Sequence, residues 1–235
     1  MGQSGIQFLV DETAIVAAHD RMIASDEDLA RHLNLINSCL DFLSQLPELH
    51  RETNEDELSL LRLSIRCFNS GASALRLLRC GYFQPAMTMV RDLIEVYFLM
   101  DLFIKEPQAF NDWRTMSEKD RKEHFKPVRV RERLDKIDGY KERKRQKTYN
   151  MFSQHAAHVN PNGHHLISPG NMTRIGPFPD FGLLRAGMEE LATHLGFASV
   201  VVCNLVKTDQ EEALRVKAVF LSQLGAWKDH YFGEK

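Results

Sequence analysis

Residues 87–104 read MTMVRDLIEVYFLMDLFI. Apolar side chains point in nearly every direction around a helical wheel, the pattern of a helix covered on all sides. Arg91 and Glu95 interrupt it, one turn apart and on the same side as Phe98 and Leu102. A membrane span is excluded, because Arg91, Asp92, Glu95 and Asp101 all fall inside the run and charge at bilayer depth is costly. The remaining reading is the central helix of a bundle. Burying an ion costs several kcal/mol before its partners offset that. The pair therefore needs a reason: a structural tie between helices, or an anion-binding arginine held by its glutamate.

The chain on either side reads as helices with short connections. Residues 1–25 fit a short leading helix. Ser25 with Asp28 forms a capping box for a helix to about Leu46, stopped by Pro47. Asn54 with Glu57 opens a helix to about Cys80, with Gly81 as its C-terminal stop. The stretch GYFQP is a tight connection, and Pro85 suits the first turn of the central helix, which runs to about Lys105. Pro107 opens a short segment through Trp113, Ser117 caps another, and a further helix runs from Pro127 to Asp138. Asp138-Gly139 is a turn, followed by a basic helix from Tyr140 to about His158. Residues 159–180, VNPNGHHLISPGNMTRIGPFPD, hold four prolines and three glycines and read as one long loop. Asp180 opens a helix to about Lys207, and Asp209 with Glu212 caps a last one ending near Trp227. No segment alternates like a strand. The expected fold is one all-α domain over residues 1–235, a helical bundle with long antiparallel central helices.

A hydrophobic content of 43% and a charged content of 26% allow a sizeable core without staples. Cys39, Cys67, Cys80 and Cys203 form no CxxC pair and sit in apolar helical patterns, as small buried hydrophobes in a reducing compartment do. There is no basic segment followed by an apolar run at the start, and Ile6 breaks a myristoylation motif at Gly2. A cytoplasmic protein is expected. Arg114 to Lys147 holds 14 Lys and Arg against 7 Asp and Glu, a local excess of +7 in a chain of net charge −2. Such a segment is either a solvated helix face or a surface for a polyanion.

Arg62, Arg66, Asn69, Ser73 and Arg76 line up at spacings of four and three on an otherwise apolar helix. They either face water or line a groove for an anionic ligand. Lys144 and Arg145 belong to the basic helix. Downstream, YNMFSQHAAHVNPNGHH (Tyr149 to His165) carries four of the ten histidines. His155 and His158 sit on neighbouring turns, and His164-His165 could return from the loop as further metal ligands. No Cys or Glu lies nearby and HExxH is absent, so no metal or cofactor is expected. P-loop, GxGxxG, GxSxG and zinc-finger spacings are also absent.

Two stretches carry a resemblance. SALRLLRCGYFQPAMTMVRDLIEVYFLMDLF (Ser73 to Phe103) combines a small-residue helix, a Gly-Tyr turn and R-x-x-x-E in an apolar helix. YNMFSQHAAH (Tyr149 to His158) adds a Tyr, a Ser four residues on, and a His near the helix end. Over about residues 54–160 this resembles the HEPN-like helical superfamily, including uncharacterised bacterial and phage domains grouped with abortive-infection and toxin proteins. The resemblance implies a homodimer that binds RNA or nucleotide phosphate. It also implies metal-independent endoribonuclease chemistry, with His158 or His155 moving a proton, Arg91 holding phosphate, Glu95 orienting it, and Tyr149 and Ser153 in support. Arg62, Arg66, Arg76, Lys144 and Arg145 would bind the polyanion. The chain departs from the superfamily's R-x(4–6)-H motif: the nearest arginine before His155 is Arg145. A non-enzymatic helical module that binds a protein partner is the alternative.

Overall fold

The computed structural model describes residues 11–157 and 164–233. Among them are ten α-helices and no strand. They are α1 (Glu12–Ser25), α2 (Glu27–Leu49), α3 (Glu55–Arg79), α4 (Phe83–Lys105), α5 (Pro107–Thr115), α6 (Glu118–His124), α7 (Pro127–Ile137), α8 (Lys144–Phe152), α9 (Phe181–Leu205) and α10 (Glu211–Phe232). A π-helical turn, Ser153–Ala157, continues α8. The expected long loop holds two short 3-10 turns, His165–Ile167 and Pro169–Asn171.

Local chemistry sets most boundaries, and it corrects several expected ones. Asp26, not Ser25, caps α2 by accepting from the Leu29 N–H at 2.9 Å; the Ser25 hydroxyl instead donates back to the Met22 carbonyl. Pro47 lies inside α2, which continues to Leu49, because a proline in the last turn removes a single backbone donor. Asn54 caps α3 through the Asp56 and Glu57 N–H groups, while Glu57 reaches past it to the Thr53 N–H at 2.7 Å. Helix α8 starts at Lys144 rather than Tyr140, since Arg143 adopts left-handed backbone at φ 49°. Gln210 precedes α10 without a side-chain cap, and α10 extends past Trp227 to Phe232.

Helices α2, α4 and α9 run parallel, and α3 and α10 run against them. Arg185 near the start of α9 reaches Asp28 at the start of α2 at 2.7 Å. Further along, the Tyr97 hydroxyl of α4 lies 3.0 Å from His194 Nδ1 of α9. Helix α10 returns along α2, stacking Phe220 on Phe42 with ring centroids 4.9 Å apart. Helix α9 buries as many of its residues as α4, so the two share the centre that the sequence assigned to α4 alone. Cys39 and Cys67 are buried, and burial pushes their thiols up to about 12, which makes them inert fillers at neutral pH.

The α3–α4 turn fixes the entry of the central helix. Gly81 has φ 83°, and a Cβ there would meet the Phe178 carbonyl oxygen at 2.4 Å. Gly81→Ala is expected to lose at least about 1–2 kcal/mol from the left-handed backbone alone, read as a lower urea midpoint with unchanged slope.

A second test uses His32. Its Nδ1 accepts from the Trp227 indole N–H at 3.1 Å, which ties α10 to α2. Burial lowers the His32 pKa from its ordinary 6.5, with Asp28 opposing. The folded chain then keeps the ring neutral where the unfolded chain takes up a proton. The stabilisation is complete above about pH 6.5 and is lost progressively as pH falls toward the lower folded-state value. His32→Asn keeps an acceptor without titrating, so its midpoint should change less than the wild type's between about pH 7.5 and 5.5.

Candidate functional site

Four side chains singled out in the sequence meet on one side of α4. Arg91 and Glu95 lie 2.8 Å apart. Across from them, α8 contributes Tyr149 and the π-helical turn contributes Ser153. The Tyr149 hydroxyl donates to Glu95 at 2.6 Å and accepts from Arg91. Arg91 Nε donates to Ser153 Oγ at 3.1 Å. The pair is partly covered rather than fully buried, and each ion has neutral partners that supplement the ion pair.

The sequence reading missed Arg131. It projects from α7 and lays its guanidinium over the Tyr149 ring, 3.8 Å from the centroid. It is only 4% exposed, and among the described residues its Nε and Nη1 have no hydrogen-bond partner. Burial lowers its pKa from the usual arginine value, with Tyr149 and Glu95 opposing that shift. The neighbouring carboxylate, Asp135, is engaged by Arg145 at 2.8 Å. Two guanidinium groups therefore converge on one phenol and one carboxylate, and the local charge is positive. A signal was present: Arg131 lies beside Val130 and Leu134, on the face that α7 buries. Glu95 and Arg131 line a cleft of about 240 Å³ with Arg66, Trp113, Phe125 and Phe98. Such a cleft can hold a phosphate group by charge-assisted hydrogen bonds beside an aromatic wall.

The other expected ligands separate. Arg62, Arg66, Asn69, Ser73 and Arg76 are all exposed, so the polar stripe of α3 faces water. Arg66 alone reaches the cleft, and it is clamped to Asp92, which also accepts from Ser70 at 2.7 Å. Arg145 is not free for a phosphate. It bonds Asp135 and Asp138 and lies 3.8 Å from Asp101, while Lys105 shares Asp101 at 3.1 Å and Asp138 at 2.7 Å. Burial works against the charged form of Arg145, but the aspartates outweigh it and raise its pKa. Much of the basic segment is neutralised in the same way, by Arg114–Asp56, Lys126–Glu123, Arg129–Glu132 and Arg133–Glu106. Lys141, Arg143, Lys144 and Lys147 are exposed around the start of α8.

Among the described residues, the histidines of the stretch after α8 do not line the cleft of Arg131. His158 lies outside the described residues. His155 lines a different, nearly apolar cleft of about 180 Å³ with Phe83, Met87, Leu183 and Glu190. Its ring lies 5.9 Å from that of His165, which is 4.7 Å from that of His164. No group of three or more His, Cys, Asp and Glu is placed to hold a metal among the described residues. Comparison with known protein families, with curated proteins and with solved structures gives no match.

Two arginines in this region should respond oppositely to removal. Arg145→Ala leaves Asp135 without its cation and Asp138 with Lys105 alone, and a loss of roughly 3 kcal/mol is expected. Arg131→Met removes a buried cation with two unpartnered nitrogens and keeps the volume, so the denaturation midpoint should hold or rise. A large loss in Arg131→Met would show that Arg131 is a structural residue.

Proposed function

We propose that this chain is an HEPN-like helical protein that binds the phosphate of RNA or of a nucleotide, in a defence or toxin setting and as a homodimer. The observation that carries the reading is Arg131: a buried guanidinium with two unpartnered nitrogens, beside Arg91 and on the wall of a cleft. An entering anion would supply the missing partners. In this reading Glu95 and Tyr149 hold the geometry of Arg91, and Ser153 fixes its Nε. The exposed cations at the start of α8 draw a polyanion toward the cleft. The reading is one of binding; cleavage would need a proton-transferring group at the arginines, and His155 lines another cleft.

The test is the affinity of a labelled single-stranded RNA in EDTA as salt rises. Affinity should fall steeply with salt, and Arg131→Met and Arg91→Met should each weaken binding by about 10-fold or more. Salt-insensitive or absent binding would sink the reading. Cutting by the wild type that disappears in His158→Ala would extend it to a metal-independent endoribonuclease.

The second reading is a non-enzymatic module for a protein partner. It is favoured by the outer face of α10, where Leu214, Val219, Leu221 and Phe232 are exposed. A sedimentation measurement on Leu221→Lys would separate self-association through that face from a monomer.

A further inference from the structure

A second groove lies across Phe98 from the arginine cleft. Phe98 borders both. The groove is about 410 Å³ and is lined by Tyr97, Tyr140, Lys144, Thr148, His194 and Phe197, among others. Two of its aromatic rings are largely exposed, with Phe197 resting against Tyr97 and His194 and Tyr140 against Arg145. Phe197 is 54% exposed on α9, and Tyr140 is 47% exposed just before α8. Such rings are normally placed inside a core or an interface. Tyr140 stands among cations. Lys144 Nζ lies 5.8 Å from the Tyr140 ring centroid and the Arg145 guanidinium 5.2 Å from it. Asp101, the carboxylate in the wall, shares Lys105 and Arg145 with Asp135 and Asp138. Lys141, Arg143 and Lys147 extend the positive charge outward.

Exposed aromatic faces beside unpaired cations suit a flexible polyanion that carries flat groups along its backbone. We infer that this groove is the track of a single RNA strand, with Phe197 and Tyr140 as stacking platforms for successive bases and Lys144 with its neighbours on the phosphates. A duplex does not fit the chemistry, because its bases are already stacked and present edges rather than faces. Arg145, anchored by its aspartates, serves as the floor that holds Tyr140 in place. The inference rests on the RNA reading proposed above and gives that reading its direction: a strand lying in the groove passes Phe98 into the arginine cleft.

The experiment compares three probes by fluorescence anisotropy: a short labelled oligouridine, the same length of RNA duplex, and inorganic polyphosphate. Phe197→Ala and Tyr140→Ala replace exposed rings, so thermal melts should show folded proteins. Each variant is expected to bind the oligouridine roughly 5- to 100-fold more weakly, while polyphosphate and duplex affinities stay within about twofold of wild type. Lys144→Ala should weaken all three probes. Unchanged oligouridine binding by Phe197→Ala, alongside a loss in Arg131→Met, would overturn the stacking track and leave the arginine cleft standing. An equal loss of oligouridine and polyphosphate in Phe197→Ala would also overturn it, since a base-stacking role cannot act on a probe without bases. If the wild type binds none of the probes, both the track and the phosphate reading fall.

Discussion

The structure on one side of this molecule depends on covering two ions on an otherwise apolar helix. Arg91 and Glu95 cannot face a dry neighbour, and α4 is too central to turn them fully to water. The chain answers with a phenol that bonds both at once, Tyr149, and a hydroxyl for the arginine Nε, Ser153. That requirement places α8 where it is. Helix α8 in turn needs α7 beneath it, and the two are joined through Arg145 and the aspartates of α7 and its C-terminus. The small helices from α5 to α8 thus read as an annexe to the main bundle, organised by charge as much as by apolar burial.

The main bundle is organised differently. There the polar groups are few and individually tied. His19 is fully buried and has a ring nitrogen 2.9 Å from the Arg79 carbonyl, while its other nitrogen accepts from the Asp180 N–H at 3.3 Å. One ring therefore joins α1, the end of α3 and the start of α9. His32 and His194 play similar parts toward α10 and α4. Three buried histidines act as linkers between helices, which directs attention away from the histidine-rich stretch after α8 and toward the arginines.

Periodicity made the bundle legible, because an apolar helix bounded by Gly81 and Pro107 reads the same in isolation as in the fold. The convergence of Arg91, Glu95, Tyr149 and Ser153 was legible only through the resemblance, which sets Tyr149 and Ser153 in support of the charged pair; the wheel alone puts Tyr149 on an apolar face. Arg131 and Phe197 were not legible. Arg131 sits in a run of many cations, and its place beside Val130 and Leu134 does not by itself mark it as the buried one. Phe197 reads as core on any wheel of α9, yet it is 54% exposed. The boundaries missed at Ser25 and Tyr140 are decided by a competing partner and by a single backbone angle, which composition does not carry.

The stretch between Ala156 and Phe178 has both ends moored at the same place. The Ala156 carbonyl accepts from Gln84 and Thr88, and the Phe178 backbone N–H bonds the Gly81 carbonyl at 3.4 Å. All three partners belong to the turn and first helical turns that start α4. Between the moorings, Leu166 packs against the core and the Ser168 and Thr173 hydroxyls lie 2.9 Å apart. Gln84 and Thr88 lie on the same face of α4 as Arg91 and Glu95, so the hydrogen bonds that moor Ala156 also fix the turn that carries Ser153 to Arg91.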